Sequence, residues 1–186
     1  LNTKHKATIE YPVEMYAADF DKNGTIDPIM THYLDGKKWL SATRDLLTFQ
    51  IPSLKRRFPN FEIYANTTFE ESFTEEEIQS TYHLKCTEFR TMYFENTGGT
   101  FITRALPLET QFAPVYGILA SDFNHDGHQD ALLIGNSHAS ETIGGWHDAS
   151  KGTLLLGDGK GTFKVSSNHC VRIDKDAKSI ATILRT

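Results

Sequence analysis

The chain has 186 residues, 39% of them apolar and 23% charged, which sets it among ordinary globular proteins rather than disordered or membrane-spanning ones. No apolar run approaches the length needed to cross a bilayer as a helix. A formal net charge of −5 argues against a nucleic-acid surface, which needs Lys and Arg clustered against phosphate.

The first strand signal is Val13–Ala18, a short run bounded by turn residues. It leads into Asp-Phe-Asp-Lys-Asn-Gly-Thr-Ile-Asp, in which positions one, three, five and nine (Asp19, Asp21, Asn23 and Asp27) all carry side-chain oxygens. Calcium takes about six to eight oxygen ligands at ~2.3–2.6 Å, and alternate residues of a tight loop point inward to supply them. Gly24 allows the sharp turn that brings the position-seven carbonyl, that of Thr25, to the ion. Pro28–Tyr33 then reads as the second strand.

Composition shifts between about residues 37 and 85, where a small helical insertion is predicted. Ser41 is placed to cap a helix through Leu46, Leu47 and Ile51 that Pro52 breaks. Thr68 with Glu71, and Thr74 with Glu77, form capping-box patterns that open further helices. Lys55-Arg56-Arg57 is the one basic run, explained most simply as a solvated helix face. The insertion is either a binding surface that confers specificity or a cover for the side of the domain, and the cover is the simpler reading.

Strand signals resume with a hairpin, Tyr93-Phe94-Glu95-Asn96-Thr97-Gly98-Gly99-Thr100-Phe101, and with Val115–Ala120. A second loop follows, Asp-Phe-Asn-His-Asp-Gly-His-Gln-Asp, with Asp122, Asn124, Asp126 and Asp130 at the four ligand positions, Gly127 at the turn and His128 supplying the position-seven carbonyl. After the strand Ala131–Ile134 and a Gly-rich segment around Trp146, a second hairpin, Leu155–Phe163, repeats the Gly-Thr-Phe turn of the first. Strand-like runs at Cys170–Ile173 and Ser179–Leu184 end the chain.

Two loops with one spacing and the same Asp-Phe opening make coincidence a poor explanation. An EF-hand is excluded, because its bidentate Glu at position twelve is replaced by Met30 and Leu133, and strands flank both loops. The loops are offset by 103 residues and the hairpins by 62, so the first repeat carries about 41 residues that the second lacks. Without that excess, a repeat of roughly 50–60 residues with four strands has the size of a β-propeller blade. The expected fold is therefore mainly β, about two four-stranded blades plus the start of a third, with a helical insertion. Residues 10–105 are the first blade, 113–166 the second and 167–186 the start of another. Two blades and a fraction do not close a ring, so the chain reads as part of a longer propeller.

In these residues the chain resembles the FG-GAP/VCBS repeats, the calcium-loop blades also found in integrin α-chain propellers. Its resemblance is closer to the large bacterial FG-GAP proteins of the Bacteroidetes type that carry ASPIC/UnbV regions and are related to cartilage acidic protein. The resemblance runs from Asp19–Pro28 through Ser41–Leu47, Pro52–Phe58, Leu106–Tyr116 and Asp122–Asn136 to Asp148–Ser150 and Leu155–Phe163. It implies a secreted or cell-surface, calcium-stabilised propeller used for recognition or scaffolding, with the ligands at the loop positions named above. The integrin Phe-Gly…Gly-Ala-Pro signature is absent, with Gly-Thr-Phe turns in its place, and the insertion has no counterpart in ordinary blades. Integrin ligand-binding surfaces therefore do not transfer.

Other chemistry is thinner. None of the eight His residues forms a tight helical metal pair, and His125 and His128 belong to the second loop. Gly157-Asp158-Gly159-Lys160-Gly161 lacks phosphate-loop spacing and reads as a hairpin turn. Cys86 and Cys170 either pair in an oxidising compartment or remain thiols. In Gly144-Gly145-Trp146-His147-Asp148, Trp146 and His147 are candidate ligand contacts, with the Trp stacking on a sugar or a partner's side chain, or else packing on a neighbouring blade. The expected function is a non-catalytic, extracellular calcium-binding module with a protein or glycan ligand. The alternative is part of a calcium-dependent polysaccharide lyase or a glycan-binding module, with His138, Trp146 and His147 near the metal.

Overall fold

The computed structural model describes residues 5–140, 145–167 and 171–183. The fold is mainly β, with several antiparallel sheets, none of them closed. The chain divides into two compact units, one ending at Phe89 and the other beginning at Arg90.

In the first unit, β1 (Val13–Ala18), β2 (Asp27–Leu34) and β3 (Lys37–Leu40) form an antiparallel meander. Four short helices follow: α1 (Arg44–Gln50), α2 (Phe61–Asn66), α3 (Phe69–Ser72) and α4 (Glu75–Gln79). The chain then returns as β4 (Tyr82–Cys86), which pairs with β1 on the edge opposite β3, giving the order β3-β2-β1-β4. Successive strand residues face opposite sides, so Glu14 and Tyr16 share one face with Ile29, Thr31 and Leu40, while Met15 and Met30 occupy the other. The helices bury the first face. Tyr16, Ile29 and Leu40 pack with Leu47, Ile51, Leu54, Phe58, Phe69 and Phe73 in one core cluster. Each large apolar side chain sealed in this way contributes roughly 1.5–3 kcal/mol. The insertion thus acts as a cover for the sheet.

A buried carboxylate lies within that face. Glu14 receives the Tyr16 hydroxyl at 2.6 Å and Lys38 Nζ at 2.5 Å on one oxygen, with Lys85 Nζ 3.3 Å from the other. His83 stacks on the Tyr16 ring at 4.3 Å. Burial pushes the Glu14 carboxyl up, but hydrogen bonds from Lys38 and Tyr16 outweigh it and hold the group below the usual carboxylate range.

In the second unit, β5 (Met92–Asn96) and β6 (Phe101–Ala105) form a separate hairpin. A four-stranded antiparallel meander follows, with β7 (Val115–Ser121), β8 (Asp130–Gly135), β9 (Thr153–Gly157) and β10 (Phe163–Val165) in chain order. Leu132, Leu133 and Ile134 of β8 are all buried, so this inner strand is covered on both faces. Tyr93 of the hairpin sets its edge on Phe163 at 5.2 Å.

Several expectations need correcting. The Tyr93–Phe101 hairpin does not complete the first sheet; β3 and β4, from within the expected insertion, do so. The reason is local: Asp35 and Gly36 adopt φ of 51° and 74°, a two-residue turn that sends the chain straight back along β2. The helix-capping residue is Thr43 rather than Ser41, because the Ser41 backbone N–H continues the ladder to Met30 and its hydroxyl meets His32 Nδ1. A helix not expected, α2, starts at Asn60, whose side chain caps Ile63 N–H. The described residues 171–183 contain no strand. They are tied by single contacts instead: Ile173 N–H donates to the Lys151 carbonyl at 3.0 Å, and Lys151 Nζ pairs with Asp174 at 3.0 Å. Cys86 is a free thiol, and Cys170 lies outside the described residues. Among the described residues no helix is long and apolar enough to cross a membrane.

Candidate metal centre

Each Asp-rich loop joins two adjacent antiparallel strands, β1 to β2 and β7 to β8, and each closes on its ninth residue, paired as Ala18–Asp27 and Ser121–Asp130. The two loops share one hydrogen-bond framework. In the first, Asp19 accepts from Asn23 N–H at 2.9 Å and Gly24 N–H at 2.8 Å, one on each oxygen. Asp122 does the same with Asp126 N–H at 3.1 Å and Gly127 N–H at 2.9 Å. Position three accepts from position-five N–H, Asp21 at 3.2 Å and Asn124 at 3.0 Å. Position five accepts from position-seven N–H, Asn23 from Thr25 and Asp126 from His128, both at 2.8 Å. Position nine accepts from position-two N–H, Asp27 from Phe20 at 3.2 Å and Asp130 from Phe123 at 2.9 Å.

The backbones agree as well. Lys22 and His125 both have φ of 61°, and Gly24 and Gly127 have φ of 89° and 88°, a region that penalises any Cβ. Four amide donors, making five hydrogen bonds because the position-five N–H is shared by positions one and three, thus aim the side-chain oxygens of alternate residues into each loop.

The loops differ in what they gather. In the first, carboxylate oxygens of Asp19, Asp21 and Asp27 lie within 4.8 Å of one another, the one such acidic cluster among the described residues. Asn23 adds an amide oxygen, which also accepts the Thr25 hydroxyl. An all-oxygen set with three carboxylates suits a hard divalent cation, and a carboxylate oxygen bonded to one N–H keeps a lone pair for an ion. The residues that would hold it are Asp19, Asp21, Asn23, the Thr25 carbonyl and Asp27. In the second loop Asn124 donates its side-chain N–H to Asp126 Oδ2 at 2.8 Å. With His128 N–H, that bond holds the Asp126 carboxyl below its ordinary range. The His128 ring stands over the turn after β9, where a Cβ on Gly159 would come within 2.5 Å of Nδ1.

Position nine has a second anchor that sequence reading missed. Asp130 Oδ1 accepts Gly157 N–H at 2.9 Å, and Asp27 Oδ1 accepts Gln50 Nε2 of α1 at 3.4 Å. Both Asp residues are buried. No local signal marks either donor, since each comes from another element.

Of the other candidates, Trp146 is 65% exposed and stacks on His138 at 4.5 Å. His147 is fixed by its backbone, which exchanges two 2.8 Å bonds with Ser137. Gly144 lies outside the described residues. Comparison with protein-family models, curated proteins and solved structures finds no match to the chain.

Proposed function

We propose that the chain is a calcium-binding, non-catalytic recognition or scaffolding module of the FG-GAP/VCBS type, displayed outside the cell, whose two loops are static clasps between strands. The observation that carries the reading is the common five-bond framework, which presents oxygen ligands at positions one, three, five and nine twice in one chain. The gathered carboxylates of Asp19, Asp21 and Asp27 add to it. When bound, the cation neutralises carboxylates that otherwise repel one another. The protein's part is to hold those oxygens in place with backbone amides, so little ordering remains to be done on binding. The four-stranded meander β7–β10 is consistent with a propeller blade, whose ring would be completed by further blades. A protein or glycan is the expected ligand.

Thermal melting of the metal-free chain against calcium tests this. A ligand that binds only the folded state at about 100 times its Kd adds about 2.7 kcal/mol, so the melting temperature should rise with calcium. Asp21→Ala together with Asp126→Ala should remove the rise. A melting temperature unmoved by calcium would overturn the reading.

A further inference from the structure

The first unit carries a cleft of about 490 Å³ beside the first loop, within the ~300–1,000 Å³ common for small-molecule sites. Its floor is aromatic: Phe20, the second residue of the loop, meets Phe73 at 5.2 Å between ring centroids. Its wall holds two guanidinium groups with different duties. Arg57 is committed to the fold. It donates to the Ser72 carbonyl at 2.5 Å, forks onto Glu77 at 3.1 and 3.3 Å, and lies over the Phe73 ring at 5.4 Å. Arg56 is exposed, and among the described residues its side chain has no hydrogen-bond or ionic partner; the same holds for the Ser53 hydroxyl.

The charge on the wall is therefore two cations against one carboxylate, with the spare cation next to a free hydroxyl and an apolar floor. A guanidinium fork matches a carboxylate in two parallel hydrogen bonds, and Phe faces accept the C–H face of a ring. Glu77 opposes a second negative charge at the same place, which favours a monoanion over a phosphate or sulfate dianion.

We propose that this cleft binds a carboxylate borne on a small ring, with Arg56 and Ser53 holding the carboxylate and the half-buried Phe20, backed by Phe73, carrying the ring. Hexuronic acids and aromatic carboxylates share that chemistry. The proposal does not rest on the metal reading, and it gives the helical insertion a binding role besides its covering one.

The test is a ¹H–¹⁵N NMR titration of the full chain in metal-free buffer with glucuronate, benzoate, glucose and acetate. Glucuronate or benzoate should give saturable shifts at the amides of Phe20, Ser53, Arg56 and Phe73, and the stronger of the two identifies a sugar or an aromatic acid. Arg56→Ala should weaken that binding about tenfold or more, with Arg56→Lys between the two, because a lysine cannot fork. Arg56 is exposed, so unchanged peaks elsewhere in the spectrum will show that the variant folds. No saturable shift at millimolar ligand, equal shifts from glucose or acetate, or binding unaltered in Arg56→Ala would each overturn it.

Discussion

Asp130 Oδ1 accepts the backbone N–H of Gly157 at 2.9 Å, fastening the ninth position of the second loop to the end of β9. The approach is close enough that a Cβ on Gly157 would stand 2.2 Å from the Gln129 carbonyl. Asp27, in the same place in the first loop, is held by a side chain instead, Gln50 of α1. Identical inner frameworks are thus anchored by different outer elements.

That difference predicts unequal costs for one substitution. Asp130→Asn must turn its new NH₂ toward a backbone N–H, of either Phe123 or Gly157, leaving a buried donor unsatisfied. The expected loss is roughly 1–3 kcal/mol. Asp27→Asn can keep its oxygen on Phe20 N–H while the Gln50 amide rotates to accept its NH₂, and should cost below about 1 kcal/mol. Chemical denaturation in metal-free buffer, with amide exchange at Gly157 and Phe20, will compare them. Equal losses would remove the distinction.

The alkaline limb of stability should follow two tyrosines. Burial pushes Tyr16 up to about 12, helped by its hydrogen bond to Glu14, and burial raises Tyr64 to about 12. A folded-state value above the unfolded value of 10.0 favours the neutral phenol. The stabilisation is therefore complete below about pH 10 and lost as pH rises toward 12. Tyrosinate absorbance should show Tyr16 and Tyr64 titrating late, and Tyr16→Phe and Tyr64→Phe should each remove one late step.

The capping box at Thr74 should matter more than its exposure suggests. Thr74 Oγ1 accepts Glu77 N–H at 3.2 Å, and Glu77 returns to Thr74 N–H at 2.7 Å while also gripping Arg57. Thr74→Ala should cost about 1 kcal/mol. Burial pushes the Glu77 carboxyl up, but Arg57 and the Thr74 N–H outweigh it and hold it below the value of 4.5 for the free group. Its contribution is present above about pH 4.5 and lost as pH falls through the lower folded value. Urea titrations at neutral and acid pH should show the Thr74→Ala deficit shrinking in acid.

What the sequence made legible was local. The two Asp-rich loops, the strands on either side of them and both capping boxes depend on residues within nine positions of one another, so spacing alone defined them. What it concealed was pairing at a distance. Nothing near Tyr82–Cys86 says that this strand returns to β1 across four helices, and nothing near Gln50 or Gly157 says that each will meet a loop carboxylate. The choice between Ser41 and Thr43 as a cap was likewise settled by Met30, eleven residues before Ser41, whose carbonyl claims the Ser41 N–H. Trp39 and Leu40 looked like part of the insertion because the Asp35-Gly36 turn ahead of them went unread.

Glu14 and Lys38 give the strongest coupling to expect in the first unit. Glu14 is 2% exposed and Lys38 11%, so removing either charge strands the other away from water. Burial opposes the charge on Lys38, but its hydrogen bonds with Glu14 and Tyr16 outweigh that and raise it above its ordinary value, favouring the cation. Glu14→Gln should therefore cost about 3 kcal/mol, the low end for a broken buried pair, because the amide oxygen still accepts. Lys85→Ala, at a group 58% exposed, should cost about 0.5 kcal/mol. The double variant Glu14→Gln/Lys38→Met should lose less than the sum of its singles by at least ~1 kcal/mol, since neither change then leaves an unpaired charge. Trp39 fluorescence in a Trp146→Phe background reads this unit alone, and additive losses would show that the pair is not coupled.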